Sequence, residues 1–187
     1  MTTRRNRPAP PLDAPALERL ALRYVERFAT TRGKLADYLR RKIRERGWEG
    51  APADPDGVAD RMAALGYVDD RAWAAAKAGA MARRGLGERR VDRALKAARV
   101  GGEDAASVAP AVADEAVASA LRFARRKRLG PFAEARADRA VRQKQLAAML
   151  RAGHPFALAR AVVDAGPGEE DFTHVVDLTH CEEPQAC

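Results

Sequence analysis

Cysteine is scarce: Cys181 and Cys187 are the only two in 187 residues, both at the C-terminal end. That excludes a disulfide framework. Aromatic residues make up only 5% of the chain. Runs rich in Val and Ile are missing, which argues against a buried parallel sheet and an all-β fold. No apolar run approaches the ~20 residues of a membrane span. The opening Met1–Pro11 segment carries Arg but no apolar stretch, so it does not read as a secretory signal, and the expected address is the cytoplasm. Lys supplies only six of the 34 basic residues.

What is present is alanine and arginine. The 42 alanines favour helix, and an apolar content of 47% is enough to bury a core. The net charge of +8 is unevenly spread. After Gly166 there are six acids and no base, so residues 1–166 carry 34 basic against 20 acidic residues, or +14. A field of that size attracts polyanions, and Arg is suited to bidentate phosphate contact.

The spacing of apolar residues predicts helices almost throughout. Leu17, Leu20, Ala21, Tyr24, Val25 and Phe28 recur at steps of three and four, as do Leu35, Tyr38, Leu39 and Ile43 after a cap at Thr30 or Thr31. Asp54-Pro55 starts a third helix, which stops at Gly66. The triplet then recurs twice. Its second round opens at Asp69 or Asp70, with Trp73, Ala76, Ala80 and Met81 expected on the inner face, and its next helix is expected to stop at Gly101-Gly102. The middle helix of each round stops at Gly47, Gly101 and Gly153, spacings of 54 and 52 residues. A near-constant period implies a tandem array. The expected organisation is a disordered basic arm over 1–13, helical repeats over 14–66, 67–113 and 114–166, and a disordered acidic tail over 167–187. The fold class is all-α, an elongated or bowed row of three three-helix repeats.

No catalytic constellation appears. His154, between Gly153 and Pro155, reads as a polar turn residue. Asp69 and Asp70 read as helix caps. Gly85-Leu-Gly87 lacks the preceding strand and further glycine of a phosphate loop. His174, His180, Cys181 and Cys187 could each ligate zinc, but their spacing fits no short-loop pattern, so no metal and no cofactor are expected. The informative feature is three basic runs, one per round: Arg40, Arg41 and Arg44; then Arg83, Arg84, Arg89, Arg93 and Lys96; then Arg122, Arg125, Arg126, Lys127 and Arg128. They point to phosphate contact. With Phe123 as the one aromatic among them, base stacking is not favoured.

The run Gly66-Tyr67-Val68-Asp69-Asp70-Arg71-Ala72-Trp73-Ala74, followed by Arg83 to Leu95 with Gly85, Gly87 and Arg90, resembles the RecX family signature G-[YF]-[LIV]-D-D-x-x-[FYW]-A, then R-x-G-x-G-P-x-R-[IL]-x-x-E-L. The likeness extends loosely over about residues 16–165. Departures are Glu88 for a common Pro, Ala94 for Glu, Ala98-Arg99-Val100 for Lys-Gly-Ile, and Lys34 for Glu. The resemblance implies a non-enzymatic monomeric modulator of the RecA recombinase. Such a protein binds the RecA–single-stranded-DNA filament and inhibits its recombinase, ATPase and co-protease activities, tempering DNA repair and the SOS response. The alternative is a stand-alone helical nucleic-acid-binding module.

Overall fold

The structure, a computed structural model, describes residues 10–169 and residue 172. The all-α class holds: the described residues form ten α-helices and one 3-10 turn, with no sheet. Contacts divide them into two compact units. The first runs up to Trp73 and includes Ala98–Gly101; the second comprises Ala74–Ala97 and the chain from Gly102 on.

In the first unit, α1 (Ala14–Val25) starts where the Asp13 carboxylate accepts the Ala16 N–H at 2.8 Å. Helix α2 (Arg32–Arg46) starts at Thr31 and ends at Gly47. Helix α3 (Pro55–Ala64) has Asp54 as its cap, accepting from the Gly57 N–H at 2.8 Å. Leu17, Leu35, Leu39, Val58, Met62 and Val68 meet in one core. Each such side chain contributes roughly 1.5–3 kcal/mol on burial. Leu12, inside the expected arm, is fully buried and exchanges backbone hydrogen bonds with Gly47 and Glu49 at 3.0 and 2.8 Å. Residues 1–9 of that arm lie outside the described residues.

The N-terminus of α2 is held by distant chain. The buried Thr31 hydroxyl accepts from the Lys34 N–H and donates to the Ala98 carbonyl at 2.5 Å. Asp70, only 5% exposed, accepts the Arg32 N–H at 2.8 Å. Its carboxylate also sits against the positive end of the α2 dipole. Asp69 does cap its own helix, accepting from the Ala72 N–H at 2.8 Å, but Asp70 serves α2 instead. Asp70 is the first residue of α4 (Asp70–Arg83). Asp70, Ala74, Ala78 and Met81 are buried, at steps of four, four and three. The expected inner face of Trp73, Ala76 and Ala80 is therefore displaced: Ala76 is exposed and Trp73 is half-buried beneath the Lys34 ammonium, 4.6 Å from its ring.

The second unit contains α5 (Glu88–Ala97), the short α6 (Gly102–Ser107) and α7 (Ala109–Asp114), then α8 (Ala116–Lys127), α9 (Arg139–Ala152) and α10 (Phe156–Asp164). Ala120, Phe123, Met149, Leu158 and Val162 centre its core, which also takes in Phe172 at 5% exposure. Residues 170, 171 and 173–187 of the expected tail lie outside the described residues. Gly101-Gly102 does not terminate α5. The chain turns at Arg99, with φ +54°, and Gly102 opens α6. A left-handed φ suits glycine. Arg99 occupies it while pairing with Asp37 at 2.5 Å.

Candidate nucleic-acid interface

The basic runs fare differently once neighbours are in place. On α2, Arg40 is held by Asp37 at 3.0 Å and by Asp56, whose hydrogen bond raises the guanidinium pKa further. Arg41 pairs with Glu45 at 3.6 Å. Lys42 holds the Glu45 carboxyl below its ordinary value. Of that run, Arg44 alone is exposed with no ion pair among the described residues. On α5, Lys96 pairs with Asp92 at 2.8 Å, whereas Arg89 and Arg93 are exposed and make no ion pair among the described residues.

The ends of α4 and α8 converge in the second unit. Arg126 donates to the Arg84 carbonyl at 2.5 Å. Arg122 reaches the Ala82 carbonyl at 3.4 Å and Glu115 at 2.7 Å. The guanidinium groups of Arg125 and Arg126 lie over the rings of Phe132 and Phe123, at 4.8 and 5.5 Å. Arg122 and Arg126 thus tie off helix-end carbonyls as well as carrying charge. Arg83, Arg84, Lys127 and Arg128 are exposed and make no ion pair among the described residues. Cations there are favoured by the negative ends of two helix dipoles, each worth ~0.3–1 kcal/mol.

The glycine motif is what lets this junction close. A Cβ on Gly85, where φ is +67°, would lie 2.7 Å from the Phe123 nitrogen. One on Gly87 would lie 2.5 Å from the Gly153 carbonyl carbon and oxygen. Across this approach the Gly87 N–H donates to the Ala152 carbonyl at 3.0 Å, and the Arg89 N–H to the Gly153 carbonyl at 3.2 Å. The Gly85-Leu86-Gly87 turn is thus a backbone-to-backbone packing device. Of the remaining motif positions, Leu95 is buried, Gly66 turns the chain after α3 at φ +79°, Tyr67 is 53% exposed, and Arg90 packs beside Gly153.

His154 does lie in the turn between α9 and α10, but the turn buries it. It is 0% exposed, with Nε2 3.3 Å from the Gly85 carbonyl and the Phe123 ring edge-on at 5.8 Å. Nδ1 has no hydrogen-bond partner. Burial lowers its pKa below the ordinary 6.5, against the smaller opposing effect of the Gly85 carbonyl. The fold therefore holds a neutral ring, while the unfolded chain takes up a proton near pH 6.5. The stability this contributes is present above about pH 6.5 and is lost as pH falls through the depressed folded value. Melting temperature is expected to drop on acidification from pH 6.5, and His154→Gln is expected to flatten that drop. Melts from pH 7.5 to 5 check this, and parallel curves for the two proteins contradict it.

A second patch lies in the first unit, and sequence reasoning missed it. Tyr24 and Tyr38 stack with centroids 4.2 Å apart, and Phe28 tilts against Tyr24 at 5.2 Å. Phe28 was expected inward. Because α1 stops at Val25, Phe28 sits beyond the helix and is 56% exposed. Arg41 and Lys42 approach the Tyr38 ring at 5.5 and 5.9 Å. The i, i+4 spacing of Tyr24 and Phe28 was the available signal. Tyr38 comes from another helix.

Among the described residues no group of three or more His, Cys, Asp or Glu side chains could hold a metal ion. His174, His180, Cys181 and Cys187 lie outside them. No helix among the described residues is long and apolar enough to cross a membrane.

No family model matches the chain. A curated relative does: the chain is 33% identical over 162 residues to the "Regulatory protein RecX" of Myxococcus xanthus (strain DK1622), covering 81% of this chain and 86% of the relative. Its fold resembles the crystal structure of RecX from Lactobacillus salivarius with a TM-score of 0.57, at 14% identity, covering 87% of this chain and 95% of that one.

Proposed function

The chain belongs to the RecX family of regulatory proteins, and from that membership we propose that it restrains RecA by binding the RecA–single-stranded-DNA filament. The family relationship carries this reading. Arg83, Arg84, Lys127 and Arg128 at the ends of α4 and α8, exposed and without an ion pair among the described residues, support it, because a filament presents a regular line of DNA phosphates. Arg83, Arg84, Lys127 and Arg128 contact phosphate in this reading, with Arg44, Arg89 and Arg93 as further contacts. Arg40, Arg41 and Lys96 contribute less, since an acid already neutralises each of them. Phosphate contacts of this kind position a protein on DNA without reading sequence.

Bound in this way, the protein opposes filament growth and lowers RecA's recombinase, ATPase and co-protease outputs. Substoichiometric protein is expected to reduce the DNA-dependent ATPase of RecA on single-stranded DNA, measured by titration at fixed RecA. Unchanged ATPase at equimolar protein contradicts the proposal. If single-stranded DNA is still bound in that case, the chain is a stand-alone nucleic-acid-binding module.

A further inference from the structure

The aromatic patch of the first unit lines an open cleft of about 380 Å³, formed by Leu20, Arg23, Tyr24, Arg27, Phe28 and Tyr38. That volume falls within the ~300–1,000 Å³ of small-ligand sites. Three aromatic rings, two arginines and no carboxylate line it. We propose that this cleft is a stacking slot for a base of single-stranded nucleic acid, with Phe28 and Tyr24 against the base and Arg23 and Arg27 on the adjoining phosphates.

The exposure of Phe28 is the first reason. A phenylalanine serving the core would be buried, whereas Phe28 leaves 56% of its surface in water. It is nonetheless well placed. Its N–H donates to the Tyr24 carbonyl at 3.0 Å, a helical i to i−4 bond three residues beyond the end of α1, and its ring tilts against Tyr24. Tyr24 is braced by its stack on Tyr38. The result is a supported ring with an open face.

Charge is the second reason. Arg27 makes no ion pair among the described residues, and Arg23 bonds only the Arg19 carbonyl of its own helix, at 3.3 Å. Arg19, Arg23 and Arg27 follow one another at steps of four along α1 and its end. Arg41 and Lys42 add charge beside Tyr38, although Glu45 offsets both. An acidic protein surface would match the cations but not the bare rings, and an apolar peptide would match the rings but not the cations. A polymer alternating flat π-faces with phosphates matches both. It must be single-stranded, because paired bases keep their faces stacked on each other.

This inference deepens the proposed function by giving a DNA strand a site on the protein itself. It rests on that reading only in taking a single-stranded polymer as the ligand. The test contains no RecA, so the two can fail separately. Fluorescence anisotropy would follow the full-length protein binding a labelled oligo-dT and an abasic oligomer of equal length, which keeps the phosphates and removes the bases. The wild type is expected to prefer oligo-dT. Phe28→Ala is expected to weaken oligo-dT binding about tenfold, the order found for base–aromatic stacks, and to bring the two affinities together. Phe28→Trp restores the preference, and Arg27→Gln weakens both oligomers alike. Equal wild-type binding of the two oligomers overturns the proposal, and so does a preference that Phe28→Ala leaves unmoved.

Discussion

Gly87→Ala is expected to cost about 3 kcal/mol or more of stability, at the upper end of overpacking effects. The added methyl would lie 2.5 Å from the carbonyl carbon and oxygen of Gly153, and 2.6 Å from the His154 nitrogen. These are backbone atoms, so no rotamer change relieves the clash. Separation of the two turns would also stretch the hydrogen bonds from Gly87 to Ala152 and from Arg89 to Gly153. At ~2–4 °C per kcal/mol for a chain of this length, the melting temperature should fall by at least ~6 °C. Gly102→Ala is the matched control. It opens α6 with nothing within 4 Å of the added carbon, and its φ lies outside the left-handed region. That variant should melt with the wild type or slightly above it, since alanine lowers the entropy of the unfolded chain. Equal melting of the two variants would show that the turns do not need their close approach.

Glutamine substitution of Arg83, Arg84, Lys127 and Arg128 together is expected to have the largest effect on binding. All four are exposed and without ion pairs among the described residues, so the folded state loses little. Each phosphate neutralised on a single strand contributes ~0.7 to the slope of log affinity against log salt. Removing four such contacts should reduce that slope by roughly 3. More of the variant than of the wild type should be needed to lower the ATPase of RecA. The comparison is Arg40, Arg41 and Lys96 changed to glutamine, where each cation already has an acid beside it. That set should move the slope less. Equal slopes for the two variants would mean that local pairing does not decide which cations meet DNA.

Much of the secondary structure was legible because helix signals act over three or four residues. Asp13, Thr31, Asp54, Asp69 and Asp138 each accept a backbone N–H three residues on, as the sequence suggested for Thr31, Asp54 and Asp69. Where a local signal had a rival, the reading slipped. Gly101-Gly102 looked like a stop for α5, but the turn came earlier at Arg99, which packs against Gly33 and pairs with Asp37. The face of α4 was misjudged because Trp73 is the largest apolar side chain there, whereas the residues it buries are Asp70, Ala74, Ala78 and Met81.

The sequence by itself determined the all-helical class, most helix starts and the excess of positive charge. Caps, apolar period and composition are properties of neighbouring residues and need no partner from afar. The family motif was readable in the same way, as a string. Its purpose was decided only in three dimensions, where Gly85 and Gly87 meet Phe123 and Gly153 from more than thirty residues away. The tertiary structure also buried His154 and set Tyr38 against Tyr24. It sorted the cations into those neutralised by an acid and those left bare. Those outcomes depend on contacts between helices distant in sequence, and a short-range pattern carries no information about which helix will arrive.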